Sequence, residues 1–295
     1  MRWRRVNDSP DVIDQRGGGS GFRVPGGARV GVPGGLGLAG LVIVVLIQLL
    51  GGGGDGTSFG VDPRFGDQVQ APAGEPIPAS EDPERDLKDF SVYVFSDTQK
   101  MWEDTFSRQG RPYEHAKLVL YRSGVSTGCG NASSAVGPFY CPADRRVYLD
   151  LSFYDDMASQ LQASGDFAWA YVIAHEMGHH VQQQLGTSDQ VRSLQRQHPD
   201  DVNELSVRQE LQADCYAGVW AQTVFKAGDL EKGDVDEAIR ASQAVGDDRL
   251  QRRATGSVDP DTFTHGTSEQ RSRWFNTGRE AGEPGACDTF STKNL

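Results

Sequence analysis

The chain is poor in metal-binding thiols: four cysteines in 295 residues, and no C-x-x-C pair. A structural zinc ribbon, which needs paired thiolates, is therefore not supported. Positive charge is also scarce, with 29 Lys and Arg against 41 Asp and Glu. Six arginines (2, 4, 5, 16, 23 and 29) and three aspartates give the first 33 residues +3, leaving −15 for the rest of a total of −12. So acidic a body is a poor nucleic-acid binder and a poor dock for anionic lipid; neutral or basic peptides are easier partners. No internal repeat is present, and long apolar runs are missing with one exception.

The exception is Leu36 to Leu50. With neighbouring glycines it barely reaches the roughly 17–20 residues that a bilayer helix needs. It predicts a single transmembrane anchor over 34–50. The arginines before it predict that residues 1–33 form a disordered cytoplasmic N-terminus, with the rest of the chain extracytoplasmic. A cleaved signal peptide is the competing reading, but the long leading region and the lack of an A-x-A site count against it. Residues 51–83, with Gly51 to Gly54 and prolines at 63, 72, 76, 78 and 83, read as a flexible linker. Residues 84–295 then suffice for one domain with a full core. An even cysteine count in an exported domain predicts disulfides. Of three pairings, the short loop favours Cys129 with Cys141, leaving Cys215 with Cys287.

Chemistry is concentrated in His175-Glu176-Met177-Gly178-His179, an H-E-x-x-H run. Residues four apart on a helix share a face, so both imidazoles can close on one Zn²⁺. Glu176 is then placed to act as general base on water at the metal. Phe167, Trp169, Tyr171, Val172 and Ile173 before the motif, and Val181 and Leu185 after it, mark a core-facing helix that Gly186 stops. His180 points about 100° away from the ligand face and is excluded.

Two histidines are one ligand short of a catalytic zinc site. The extended form H-E-x-x-H-x-x-G-x-x-H fails, because Gln182 and Leu185 stand where Gly and His are needed. A second helix offers the other solution: Ser206 to Gln209 reads as its capping box, and Gly228 ends it. Glu210 and Asp214 share a face there, Glu210 as third ligand and Asp214 as hydrogen-bond partner of a ligand histidine. Glu204, His198 and His265 are competing third ligands.

These segments resemble the bacterial, membrane-anchored family named Putative neutral zinc metallopeptidase. The resemblance is carried by Gly128-Cys129-Gly130, Gly137 to Pro142, Val147 to Leu151, the H-E-M-G-H run, Glu210 to Trp220, Phe263 to Arg271, and Cys287 to Phe290. It implies a zinc-dependent peptidase with His175 and His179 as ligands and Glu176 as catalyst, and leaves the substrate open.

The expected fold is α+β: a zincin-like metallopeptidase domain with a small sheet, the H-E-x-x-H helix and a helical C-terminal part. Asp86 to Phe106 reads as an amphipathic helix, and Lys117 to Arg122 and Arg146 to Leu151 as strands. Val147 to Leu151 is either the edge strand beside the metal, open to an extended substrate, or an interior strand. His265 is the first candidate to stabilise the oxyanion of a tetrahedral stage, and Tyr140 the second. Arg271 and Trp274 read as packing and ion-pair residues. The reading is a membrane-anchored Zn²⁺ peptidase acting on peptide or protein substrates. A zinc-stabilised scaffold module and a zinc amidase for cell-wall peptides are the alternatives.

Overall fold

The computed structural model of the protein describes residues 1–6, 9–17 and 76–295. Strand β1 (Val12–Asp14) precedes helix α1 (Arg85–Arg108), which is followed by β2 (Lys117–Tyr121), β3 (Gly124–Thr127), β4 (Gly130–Ser133), β5 (Phe139–Cys141) and β6 (Arg146–Asp150). The remaining helices are α2 (Phe153–Ser159), α3 (Asp166–Leu185), α4 (Thr187–Gln197), α5 (Val202–Ala227), α6 (Asp234–Ala244), α7 (Asp247–Thr255) and α8 (Ser268–Ala281). After α1, the strands come first and the remaining helices follow, an α+β order.

The main sheet runs β1–β2–β6–β5, and β3 and β4 form a separate hairpin. β1, β2 and β6 are parallel, and β5 closes the sheet antiparallel to β6. Leu118 to Tyr121 and Val147 to Asp150 are buried residue after residue, as befits interior parallel strands covered on both faces. β6 is thus interior, which decides between the two placements of Val147 to Leu151. The edge on that side is β5.

The core lies between the sheet, α1 and α3, where Phe95, Leu118, Leu120, Phe167, Trp169 and Trp220 are fully buried. α3 ends on Gly186 in the left-handed conformation, φ 82°, as the sequence predicts. α5 begins earlier than its supposed capping box. Ser206 lies inside the helix and its hydroxyl bonds back to the Val202 carbonyl at 2.9 Å. Glycine brings the helices close. A Cβ on Gly178 would stand 3.1 Å from the backbone of Ala213, so its absence lets α3 and α5 approach at the level of the motif. The disulfides are Cys129–Cys141 and Cys215–Cys287, and the second ties α5 to the C-terminal tail.

The N-terminal expectation needs correcting. Residues 1–33 were expected to be disordered from their Gly and Arg content, yet β1 pairs with β2 over Val12↔Leu118, Ile13↔Val119 and Asp14↔Leu120. Met1 is buried in the core, and Trp3 meets Phe90 edge-on at 5.5 Å between centroids. A segment too polar to form its own core borrows that of the domain. Asp82, placed in the linker 51–83, is likewise buried against Arg16. The anchor expected at 34–50 lies outside the described residues. Among the described residues no helix is long and apolar enough to cross a membrane.

Candidate metal centre

α3 presents His175 and His179 one turn apart, and α5 brings Glu210 against both. Nε2 of His175 lies 3.2 Å from Glu210 Oε2, and Nε2 of His179 lies 3.4 Å from Glu210 Oε1. Ligands about 2.0–2.1 Å from a tetrahedral zinc stand roughly 3.3 Å from one another, so the spacing fits the ion. The donor chemistry fits as well. Nδ1 of His175 is 2.8 Å from Asp214 Oδ1, and Nδ1 of His179 is 2.9 Å from Gln182 Oε1. With each Nδ1 directed at an oxygen, each Nε2 is the ring nitrogen left facing Glu210, and once deprotonated it could bind a metal. Three donor atoms face one point, with His175 and Glu210 buried and His179 half-buried, and form a group that could hold a metal ion.

Glu176 lies beside this group, in a cavity of about 230 Å³ that the three residues also line. Burial pushes its carboxyl up to about 7; the His175 charge opposes this and Glu210 adds to it. Burial acts against the Glu210 carboxylate, but the histidines around it prevail and hold its pKa low. The same balance lowers Asp214, where Arg271 is the chief stabilising charge, followed by His175.

Arg271 is the ion-pair residue the sequence predicts, and its partner is Asp214. Its Nε and Nη2 reach the two oxygens of Asp214 at 2.8 and 2.9 Å, and Nη2 reaches the Tyr171 hydroxyl at 3.2 Å. Tyr171 donates in turn to Asp214. The partner of His175 is therefore itself held from two sides in a buried network.

His265 also lines the cavity. Its Nδ1 is 3.0 Å from Asp247 Oδ1, while Oδ2 of Asp247 accepts the backbone N–H groups of Thr264, His265 and Gly266 at 2.7–3.1 Å. Burial disfavours the imidazolium, but Asp247 and Glu210 outweigh it and raise the His265 pKa. Tyr140, the other oxyanion candidate, has its hydroxyl 3.1 Å from His180 Nδ1. His180 bonds the Glu114 carbonyl through Nε2, so Nδ1 accepts and the Tyr140 proton is engaged there. Glu204 pairs with Arg208 on the surface, and His198 is exposed; neither joins the group. Trp274 packs beside Cys215 and Cys287.

Two partners carry no signal that the sequence reading used, Gln182 and Asp247, and the sequence names Arg271 as an ion-pair residue without its partners Asp214 and Tyr171. Gln182 was accessible, since it sits three residues after His179 on one helix face. Asp247 lies 18 residues before His265 with no local pattern linking them.

Comparison with known proteins shows the family of the chain. The model of the family described as Putative neutral zinc metallopeptidase matches residues 1–290. The Uncharacterized protein YpfJ of Escherichia coli (strain K12) is 44% identical over 304 aligned positions, covering 98% of this chain and 99% of that protein. The Uncharacterized protein Rv2575 of Mycobacterium tuberculosis (strain ATCC 25618 / H37Rv) is 43% identical over 206 positions, 66% of this chain and 68% of that one. No solved structure matches the chain. From residue 1 to residue 290 the chain belongs to the Putative neutral zinc metallopeptidase family.

Proposed function

We propose that the protein is a zinc-dependent peptidase in which His175, His179 and Glu210 hold the metal and Glu176 is the general base. The convergence of three oriented donors beside a buried, unligated Glu176 carries this reading. A scaffold site would have no use for that base. Zinc in this position supplies a Lewis acid for the scissile carbonyl and lowers the pKa of water. Glu176 takes the proton of the attacking water and passes it to the leaving amine. His265, its Nδ1–H directed at Asp247, has Nε2–H left to donate to the oxyanion.

The edge strand β5 borders the cavity and offers its free side to an extended peptide. Val136, Pro138, Phe139, Phe153, Leu161 and Val172 give one wall of the cavity an apolar surface, which favours a bulky apolar side chain near the scissile bond. The two disulfides support an oxidising compartment for the domain.

The test is digestion of an unbiased peptide library by the zinc-loaded full chain, with cleavage sites read by mass spectrometry. Cleavage beside bulky apolar residues, lost with a chelator and restored by zinc, is expected. A fully zinc-loaded protein that cuts nothing in the library contradicts the reading in favour of a binding module.

A further inference from the structure

Strand β1 is joined to β2 by a ladder that continues past its ends: Leu118 N–H donates to Asp11 O at 2.7 Å, and Gln15 N–H to Leu120 O at 2.8 Å. Side chains reinforce it. Asp11 receives Gln99, His115 and Lys117 at 2.6–2.9 Å. Arg16, its side chain wholly buried, binds Asp14, Asp82 and Glu84. Its guanidinium reaches Asp82 at 2.6 and 3.1 Å. Arg16 and Asp82 lie on either side of the stretch that contains the apolar run, and their contact brings the two ends of that stretch together.

We propose that the N-terminal segment, residues 1–6 and 9–17, and the domain at 76–295 stand on the same side of any membrane the chain meets. Paired strands lie about 4.8 Å apart, whereas the hydrocarbon core of a bilayer is about 30 Å thick. β1 and β2 cannot pair across it. A single crossing between the two would place them on opposite sides.

Two further observations agree. Arg5 and Arg16, counted among the arginines that should keep the N-terminus cytoplasmic, are engaged with Asp86 and Asp89 and with Asp82 in the folded domain. The family match also begins at residue 1, and the E. coli relative is aligned over 98% of this chain, so the N-terminal block belongs to the shared sequence.

The experiment is thiol labelling of the full chain in intact bacterial cells with a membrane-impermeant maleimide. Val6→Cys reports the N-terminal segment and Lys293→Cys the domain, each in its own variant; both sites are exposed. All four native cysteines are in disulfides, which keeps the background low. A second pair, Pro10→Cys and Glu283→Cys, repeats the reading should either first variant fail to fold. Same-side placement predicts that both positions of a pair label in intact cells, or that both label only after lysis. One position labelled in intact cells and the other only after lysis overturns the proposal.

Discussion

Asp214 Oδ1 lies 2.8 Å from Nδ1 of His175, and its other oxygen takes Nε of Arg271 at 2.8 Å. One carboxylate therefore fixes the tautomer of a candidate ligand and neutralises a buried guanidinium. Removing it harms both. Asp214→Asn is expected to weaken zinc binding roughly 10–100-fold, measured by competition with a chelator. Asp214→Ala should also cost about 3–5 kcal/mol of stability, because Arg271 is left without its counter-charge. Wild-type zinc affinity in Asp214→Asn would remove this role.

His265 is expected to act on turnover and not on the metal. His265→Ala should lower kcat by roughly 10²–10³, the usual cost of one oxyanion donor, with zinc content unchanged. Asp247→Ala should move kcat the same way, since it frees Nδ1 and three backbone N–H groups at once. Unchanged turnover in His265→Ala removes this residue from the mechanism.

The legible parts of the site were those carried by one helix at a time. His175 and His179 share a face by spacing alone, as do Glu210 and Asp214, and Gly186 marks a helix end in the sequence as in the fold. The even count predicts disulfides and loop length favours the pairing found, without excluding the other two. What stayed hidden depends on distant contacts. Asp247 meets His265 through a turn between two helices, and Arg271 reaches Asp214 from α8. β1 has three residues, one of them Asp14, and forms only because β2 presents an edge to it. The capping-box pattern at Ser206 misled because α5 had already begun at Val202.

The disulfides should contribute unequally. Cys215–Cys287 closes a loop of 72 residues and Cys129–Cys141 one of 12. Loop-closure entropy assigns them about 4 and about 3 kcal/mol respectively. Urea unfolding of Cys215→Ala/Cys287→Ala should therefore show the larger loss. A larger loss in Cys129→Ala/Cys141→Ala would contradict the entropic ordering.

Docking of the N-terminal segment should fail in acid. Burial works against the carboxylates of Asp11 and Asp82, but Lys117 and His115 hold the first below its ordinary 3.8, and Arg16 the second. Their folded-state pKa values are lowered, so the stabilisation they give is present above 3.8 and lost as pH falls through the lowered values. Hydrogen exchange in residues 11–16 should rise there, relative to the intrinsic rate at each pH, before exchange in β6 does. Simultaneous loss of protection in both would show that the segment has no separate acid transition.

The most direct test of the metal-centre account compares the full chain with its Glu176→Gln variant, measuring bound zinc and peptide cleavage on the same samples. Glu176 is assigned to the proton and not to the ion. The account therefore predicts one zinc per chain in both proteins and cleavage only in the wild type. Cleavage retained by Glu176→Gln, or a wild-type chain that binds no zinc, would contradict it.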